Sequence, residues 1–123
     1  MIKQFDSTKP LSLYIHVPFC SRKCDYCAFY SLGADCYSRD DIDAYTDLII
    51  KEIKALNEDY GKPYHTIFIG GGNPGILGYD RIRRILEAAE CMGMPEECTI
   101  EINPENVSSE ICSLHPYVSR VSV

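Results

Sequence analysis

Short apolar runs alternate along this chain with longer segments of helical period. Residues 11–17 (LSLYIHV) gather aliphatic, β-branched and aromatic side chains in a run too short for a helix, and Pro18 closes it because proline has no N–H for a ladder. Residues 65–69 (HTIFI), 98–102 (CTIEI) and 118–123 (VSRVSV) have the same character. The second of these runs into Gly70-Gly71-Gly72-Asn73-Pro74-Gly75, and the third stops at Asn103-Pro104. Between the first two, Ile42, Tyr45, Leu48, Ile49, Ile53 and Leu56 recur at helical spacing. Ser38 with Asp41 three residues on has the form of a capping box, and Gly61 marks the end. Ile82, Ile85, Leu86 and Ala89 predict a second helix starting near Tyr79 and stopping near Gly93, and a short one over 108–114 precedes the last run.

The order β-α-β-α-β-α-β predicts an α/β fold with a parallel sheet and right-handed crossovers. Strands this apolar read as buried, covered on both faces. Loops at the C-terminal ends of parallel strands form the functional face. The cysteine-bearing loop after the first strand, the glycine loop and Glu101 all fall there. One domain, residues 11–123, is expected after a lead of residues 1–10.

Composition narrows the function. The net charge of −6 comes without a Lys/Arg stripe, which argues against a nucleic-acid partner. No apolar run approaches the roughly 20 residues of a membrane span, and the N-terminal stretch lacks the apolar centre of a secretory signal, so a cytoplasmic protein is expected. Seven cysteines in a reducing compartment are thiolates available for metal.

Three of them stand in Cys20-Ser21-Arg22-Lys23-Cys24-Asp25-Tyr26-Cys27, a C-x3-C-x2-C spacing within one loop. Three thiolates on a four-iron cluster leave one iron open to a substrate or cofactor. A zinc site completed by His16 or Cys36 is the competing reading, although zinc loops favour a cysteine pair answered by a second pair elsewhere. Cys36, Cys91, Cys98 and Cys112 read as small core or near-surface thiols. The glycine loop satisfies G-x-G-x-x-G literally, but Pro74, Gly75 and Gly78 delay the helix that a dinucleotide's pyrophosphate would face.

The segment LYIHVPFCSRKCDYCAFYS resembles the opening of the radical S-adenosylmethionine enzymes related to oxygen-independent coproporphyrinogen III oxidase. TIFIGGGNPGIL, TIEINPENV and VSRVSV resemble the next blocks of that family in the same order. The resemblance implies a partial (β/α) barrel of six units, of which this chain would hold three and a fourth strand. It implies a 4Fe-4S cluster on Cys20, Cys24 and Cys27, with S-adenosylmethionine chelating the open iron and being cleaved to methionine and a 5'-deoxyadenosyl radical. By position, Tyr14 and Tyr26 would lie beside S-adenosylmethionine. Gly70, Gly71 and Gly72 would let bare backbone approach its methionine end, with Gly71 and Gly72 the chosen contacts. Asn73 stands where the family has threonine, and Glu101 would accept hydrogen bonds from the cofactor. No residue is singled out as a catalytic acid or base.

Coproporphyrinogen oxidases of this group carry a further cysteine where this chain has Phe29, and CDYCAFYS is more similar to the branch that includes heme chaperones. Three functions therefore stay open: a radical enzyme decarboxylating porphyrin propionates, a heme chaperone keeping the cluster and cofactor, and a zinc-bound interaction module. The implied partners are porphyrin or heme and an electron donor such as flavodoxin or ferredoxin. The chain by itself is expected to be incomplete as a catalyst, either a fragment or a truncated product whose last strand needs a neighbour.

Overall fold

The computed structural model describes residues 10–19, 37–107, 111, 113–114 and 117–122. Four strands, β1 (Ser12–Val17), β2 (Thr66–Gly71), β3 (Glu97–Glu101) and β4 (Arg120–Ser122), form one sheet in the order β1-β2-β3-β4, and every neighbouring pair is parallel. The crossovers contain α1 (Arg39–Tyr60) and α2 (Gly78–Ala89). The helices lie side by side on one face, joined by Arg81–Asp43 (2.7 Å) and Arg84–Asp47 (2.8 Å) ion pairs. Strands that follow one another in space without reversal, with helices on one side only, make a segment of barrel wall; a doubly wound sheet reverses its order and covers both faces.

Local chemistry sets the helix ends. Ser38 accepts the Asp41 N–H (3.2 Å) while the Asp41 carboxylate accepts the Ser38 N–H (2.8 Å), so the capping box closes in both directions. At the other end Gly61 takes φ +71° and donates to the Asn57 carbonyl (2.8 Å), a conformation only glycine adopts freely. In α2 the expected Ile82, Ile85, Leu86 and Ala89 are all buried. A 3₁₀ turn, Pro74–Leu77, comes first, so α2 starts at Gly78 and stops short of Gly93.

In α1 the apolar stripe buries Ile42, Ile49 and Ile53, but Leu48 is half exposed and Thr46 and Asn57 are buried in its stead. Thr46 donates to the Ile42 carbonyl (2.8 Å). Asn57 donates to the Ala88 carbonyl (2.9 Å) and accepts from the Tyr64 hydroxyl (2.8 Å), tying α1 to the end of α2 and to the entry of β2. A buried amide is tolerated because its bonds are made.

The strands depart from the expected burial. Ile15, Val17, Ile67, Ile69, Cys98 and Ile100 join the helices in one core, while Tyr14, Phe68 and Glu101 are exposed. β1 and β2 therefore alternate through Tyr14 and Phe68, whereas β3 buries Cys98, Thr99 and Ile100 in succession and exposes Glu101. Of the expected helix over 108–114, the described Ile111 and Leu114 are buried in the core. The fourth strand is short, continued by Ser119, whose N–H donates to the Cys98 carbonyl (2.9 Å). No helix of the described residues is long and apolar enough to cross a membrane.

Candidate functional site

The C-terminal ends of β1 and β2 are laced together by backbone. The Gly72 N–H donates to the Val17 carbonyl (2.8 Å) and the Asn73 N–H to the Phe19 carbonyl (2.7 Å), so the glycine loop continues the ladder past the end of β2. Phe19 is buried between Tyr37 and Tyr45, with ring centroids 4.7 and 5.4 Å away. The stem of the cysteine loop is thus anchored on three sides. Cys20, Cys24, Tyr26 and Cys27 themselves lie outside the described residues.

Asn73, expected at the cofactor, is engaged within the protein. It is fully buried, and its side chain donates to Asn106 Oδ1 (2.5 Å) and accepts the Gly75 N–H (3.2 Å), with the Asn103 N–H at 3.4 Å. The amide cross-links the loops after β2 and β3 from behind.

The glycines also differ among themselves. Gly71 has φ +119°, and a Cβ there would collide with the Val17 carbonyl oxygen and stand 2.9 Å from the Val17 nitrogen. The clearance Gly71 provides is from β1, a requirement of the sheet itself. Gly72 spends its N–H on the same carbonyl. With these donors engaged and α2 starting only at Gly78, the loop lacks the helix-facing amides that a dinucleotide needs.

On the open face, register sets Tyr14 opposite Phe68, Phe68 opposite Thr99, and His16 opposite Gly70. The Tyr14 and Phe68 rings stack with centroids 5.9 Å apart and 16° between planes. Tyr14 is 56% exposed, and its hydroxyl stands 3.3 Å from His16 Nδ1. The Tyr45 hydroxyl donates to the His16 carbonyl (2.5 Å), closing the outer edge of β1. Partial burial and then the charge of Glu101 raise the Tyr14 pKa, which keeps the phenol protonated. Tyr14 and Glu101, both expected at the cofactor, stand on one surface. Glu101 is exposed, where its strand had suggested a buried carboxylate.

This wall offers a carboxylate acceptor, a neutral phenol and an aromatic stack, a set suited to a flat ligand carrying hydrogen-bond donors. Among the described residues no group of three His, Cys, Asp or Glu side chains could hold a metal ion. Phe68 and Gly70 belong to it. The sequence signal for them was the period-2 alternation in TIFIGG, which an apolar run conceals.

A second titratable group lies on the covered side. Glu90, at the end of α2, is only 7% exposed, and neither carboxylate oxygen has a hydrogen-bond partner among the described residues. Burial pushes its pKa up to about 7, and the neighbouring Cys98 thiol, a weak donor, works against this without overcoming it. Burial and then the Glu90 carboxylate push the Cys98 thiol up to about 12, which makes it inert.

A sequence profile of the Radical SAM superfamily matches residues 14–123. The chain is 36% identical over 120 residues to the heme chaperone HemW of Lactococcus lactis subsp. lactis (strain IL1403), a match covering 94% of this chain and 30% of that protein. It is 32% identical over 106 residues to the anaerobilin synthase of Escherichia coli O157:H7, covering 83% of this chain and 23% of that one. Among solved structures it is similar to coproporphyrinogen III oxidase (HemN) from Escherichia coli, described as a radical SAM enzyme, with a TM-score of 0.77 and 24% identity over 91% of this chain and 27% of that chain. That last likeness speaks for the fold. The chain spans less than a third of the length of each of these relatives.

Proposed function

The chain belongs to the radical SAM superfamily, and from that membership we propose that it carries a 4Fe-4S cluster on Cys20, Cys24 and Cys27 and binds S-adenosylmethionine across the C-terminal ends of β1, β2 and β3, in porphyrin or heme metabolism. The observation that carries this reading is the anchored stem of the cysteine loop beside an open polar and aromatic wall, with Val17 and Phe19 hydrogen-bonded to Gly72 and Asn73. When bound, the cluster and S-adenosylmethionine supply one-electron chemistry ending in a 5'-deoxyadenosyl radical. The chain's own residues bind and orient. Three thiolates leave an iron open. Tyr14 offers a ring face and a neutral hydroxyl, Glu101 accepts donors of the ligand, and Gly71, Gly72 and Asn73 hold the loop in register. A cytoplasmic protein with an electron donor such as flavodoxin or ferredoxin completes the reading.

Between the two heme-related functions, the heme chaperone is favoured by a specific observation: the HemW match over most of this chain agrees with Phe29 in place of the oxidase's further cysteine. Anaerobic reconstitution tests the core of the proposal. About four irons and four sulfides per chain are expected, lost in Cys20→Ala, Cys24→Ala or Cys27→Ala. Saturating S-adenosylmethionine should change the electron paramagnetic resonance spectrum of the reduced cluster. Stoichiometric zinc in the native protein, or a brown chromophore surviving Cys24→Ala, overturns it. Heme titration followed by absorbance, beside an anaerobic coproporphyrinogen assay, separates chaperone from oxidase.

A further inference from the structure

Gly70 and Gly71 are adjacent in the chain, yet the space each leaves empty is claimed by a different kind of atom. A Cβ at Gly71 would strike the backbone of Val17, which is held in the ladder and has nowhere to go. At Gly70 a Cβ would stand 2.5 Å from Glu101 Oε1 and 2.7 Å from Phe68 Cε1, with Phe68 Cδ1 at 3.3 Å, and none of these three atoms is backbone. The Glu101 carboxylate ends a side chain with three rotatable bonds on an exposed residue, and the Phe68 ring is partly exposed. Both can move aside cheaply. The backbone at Gly70 also stays outside the left-handed region, so alanine fits its conformation. A methyl group at this point is therefore tolerated by the fold and excluded by the position the carboxylate now holds.

We propose that Gly70 is a positioning residue, whose missing side chain forms the seat that keeps the Glu101 carboxylate against β2 and turned to the open face, ready to accept hydrogen bonds from a bound ligand. The inference rests on the reading of that face as the S-adenosylmethionine site, and it assigns Gly70 a role different from bare-backbone contact with the cofactor. A residue acting only through Glu101 matters only while Glu101 is a carboxylate. Gly71, by contrast, is required by the sheet whatever binds.

A double-mutant cycle on the reconstituted protein tests this. The dissociation constant of S-adenosylmethionine is measured for wild type, Gly70→Ala, Glu101→Gln and the double variant, together with iron content and melting temperature. Gly70→Ala is expected to keep its iron, to melt within a few degrees of wild type, and to bind about tenfold more weakly, the range set by a hydrogen bond to a charged group. The double variant is expected to bind no more weakly than Glu101→Gln, a coupling of about tenfold. Losses that multiply in the double variant, or unchanged binding by Gly70→Ala, overturn the seat. So does a Gly70→Ala protein that melts far below wild type, since the fold would then need the glycine for itself. A wild-type protein with its cluster but no affinity for S-adenosylmethionine overturns the ligand assignment and the seat with it, whereas wild-type binding with an additive cycle overturns the seat alone.

Discussion

Ile15, Ile67, Ile69 and Ile100 are buried against the helices, and their immediate neighbours Tyr14, Phe68 and Glu101 are exposed on the other face. On the first face Ile15, Val17, Ile67, Ile69, Cys98 and Ile100 share a core with Ile49, Ile53, Ile82, Ile85 and Leu86, so each methylene counts toward stability. On the second face a stacked aromatic pair, a histidine and a carboxylate meet solvent, and their removal leaves no cavity. One backbone thus carries two surfaces under different constraints. The covered face selects shape and apolarity, and the open face is released to select chemistry. Stability and ligand affinity should therefore respond to substitutions at alternate residues of the same strand.

The largest effect should come from Ile69→Ala or Ile100→Ala, both fully buried, at about 3–4 kcal/mol lost in denaturant unfolding. Phe68→Ala, one residue away, should cost under about 1 kcal/mol. Equal losses at positions 68 and 69 would abolish the distinction between the faces.

Glu90 sharpens the picture of the covered side. Its folded pKa of about 7 lies above its ordinary 4.5, so the folded state holds its proton more tightly than the unfolded chain does. Its contribution is fully present below about pH 4.5 and is lost as pH rises through about 7, a penalty of about 3 kcal/mol at the plateau. Its place at the C-terminus of α2 adds an unfavourable helix dipole for the anion. Glu90→Gln keeps the shape without the charge. Its stability advantage over wild type should grow between pH 4 and pH 8, measured by urea unfolding at each pH; a constant difference across that range would show the carboxylate is not a buried acid.

Asn73→Ala removes an amide that serves Asn106 and the Gly75 N–H, leaving buried groups unpaired, and should lower stability by about 2 kcal/mol. It should also weaken S-adenosylmethionine binding by loosening the two loops it joins. Wild-type stability in Asn73→Ala would remove it as the cross-link. The smallest effects belong to the exterior. Glu101→Gln should change unfolding free energy by less than about 0.5 kcal/mol, as should Arg84→Ala, whose pair with Asp47 is exposed on both sides. A large loss from Glu101→Gln in the absence of ligand would mean that the open face is structural after all.

Much of the architecture is set by interactions between near neighbours, and the sequence shows it. Ser38 and Asp41 are three residues apart, so the capping box needs no tertiary information, and the same holds for the turn at Gly61 and for the stripe Ile82, Ile85, Leu86 and Ala89. The parallel order follows from the alternation of strands and helices, because a strand and its crossover can return in one sense. The three-thiolate loop and the blocks around it identify the superfamily, since spacing within a loop is itself chemical information.

What only the tertiary structure decided concerns partners far apart in the chain. Phe68 reads as core in HTIFI until both helices are seen on one side of the sheet, which leaves its ring outside. Nothing in the sequence marks Glu90 as buried, and only the fold places Cys98 of β3 beside it. The partners of Asn73 include Phe19, Asn103 and Asn106, all distant in the chain, so the cross-link it makes is invisible in NPG. Gly70 and Gly71 are the same letter, and they part company only because the pleat turns one toward a movable carboxylate and the other toward a fixed backbone.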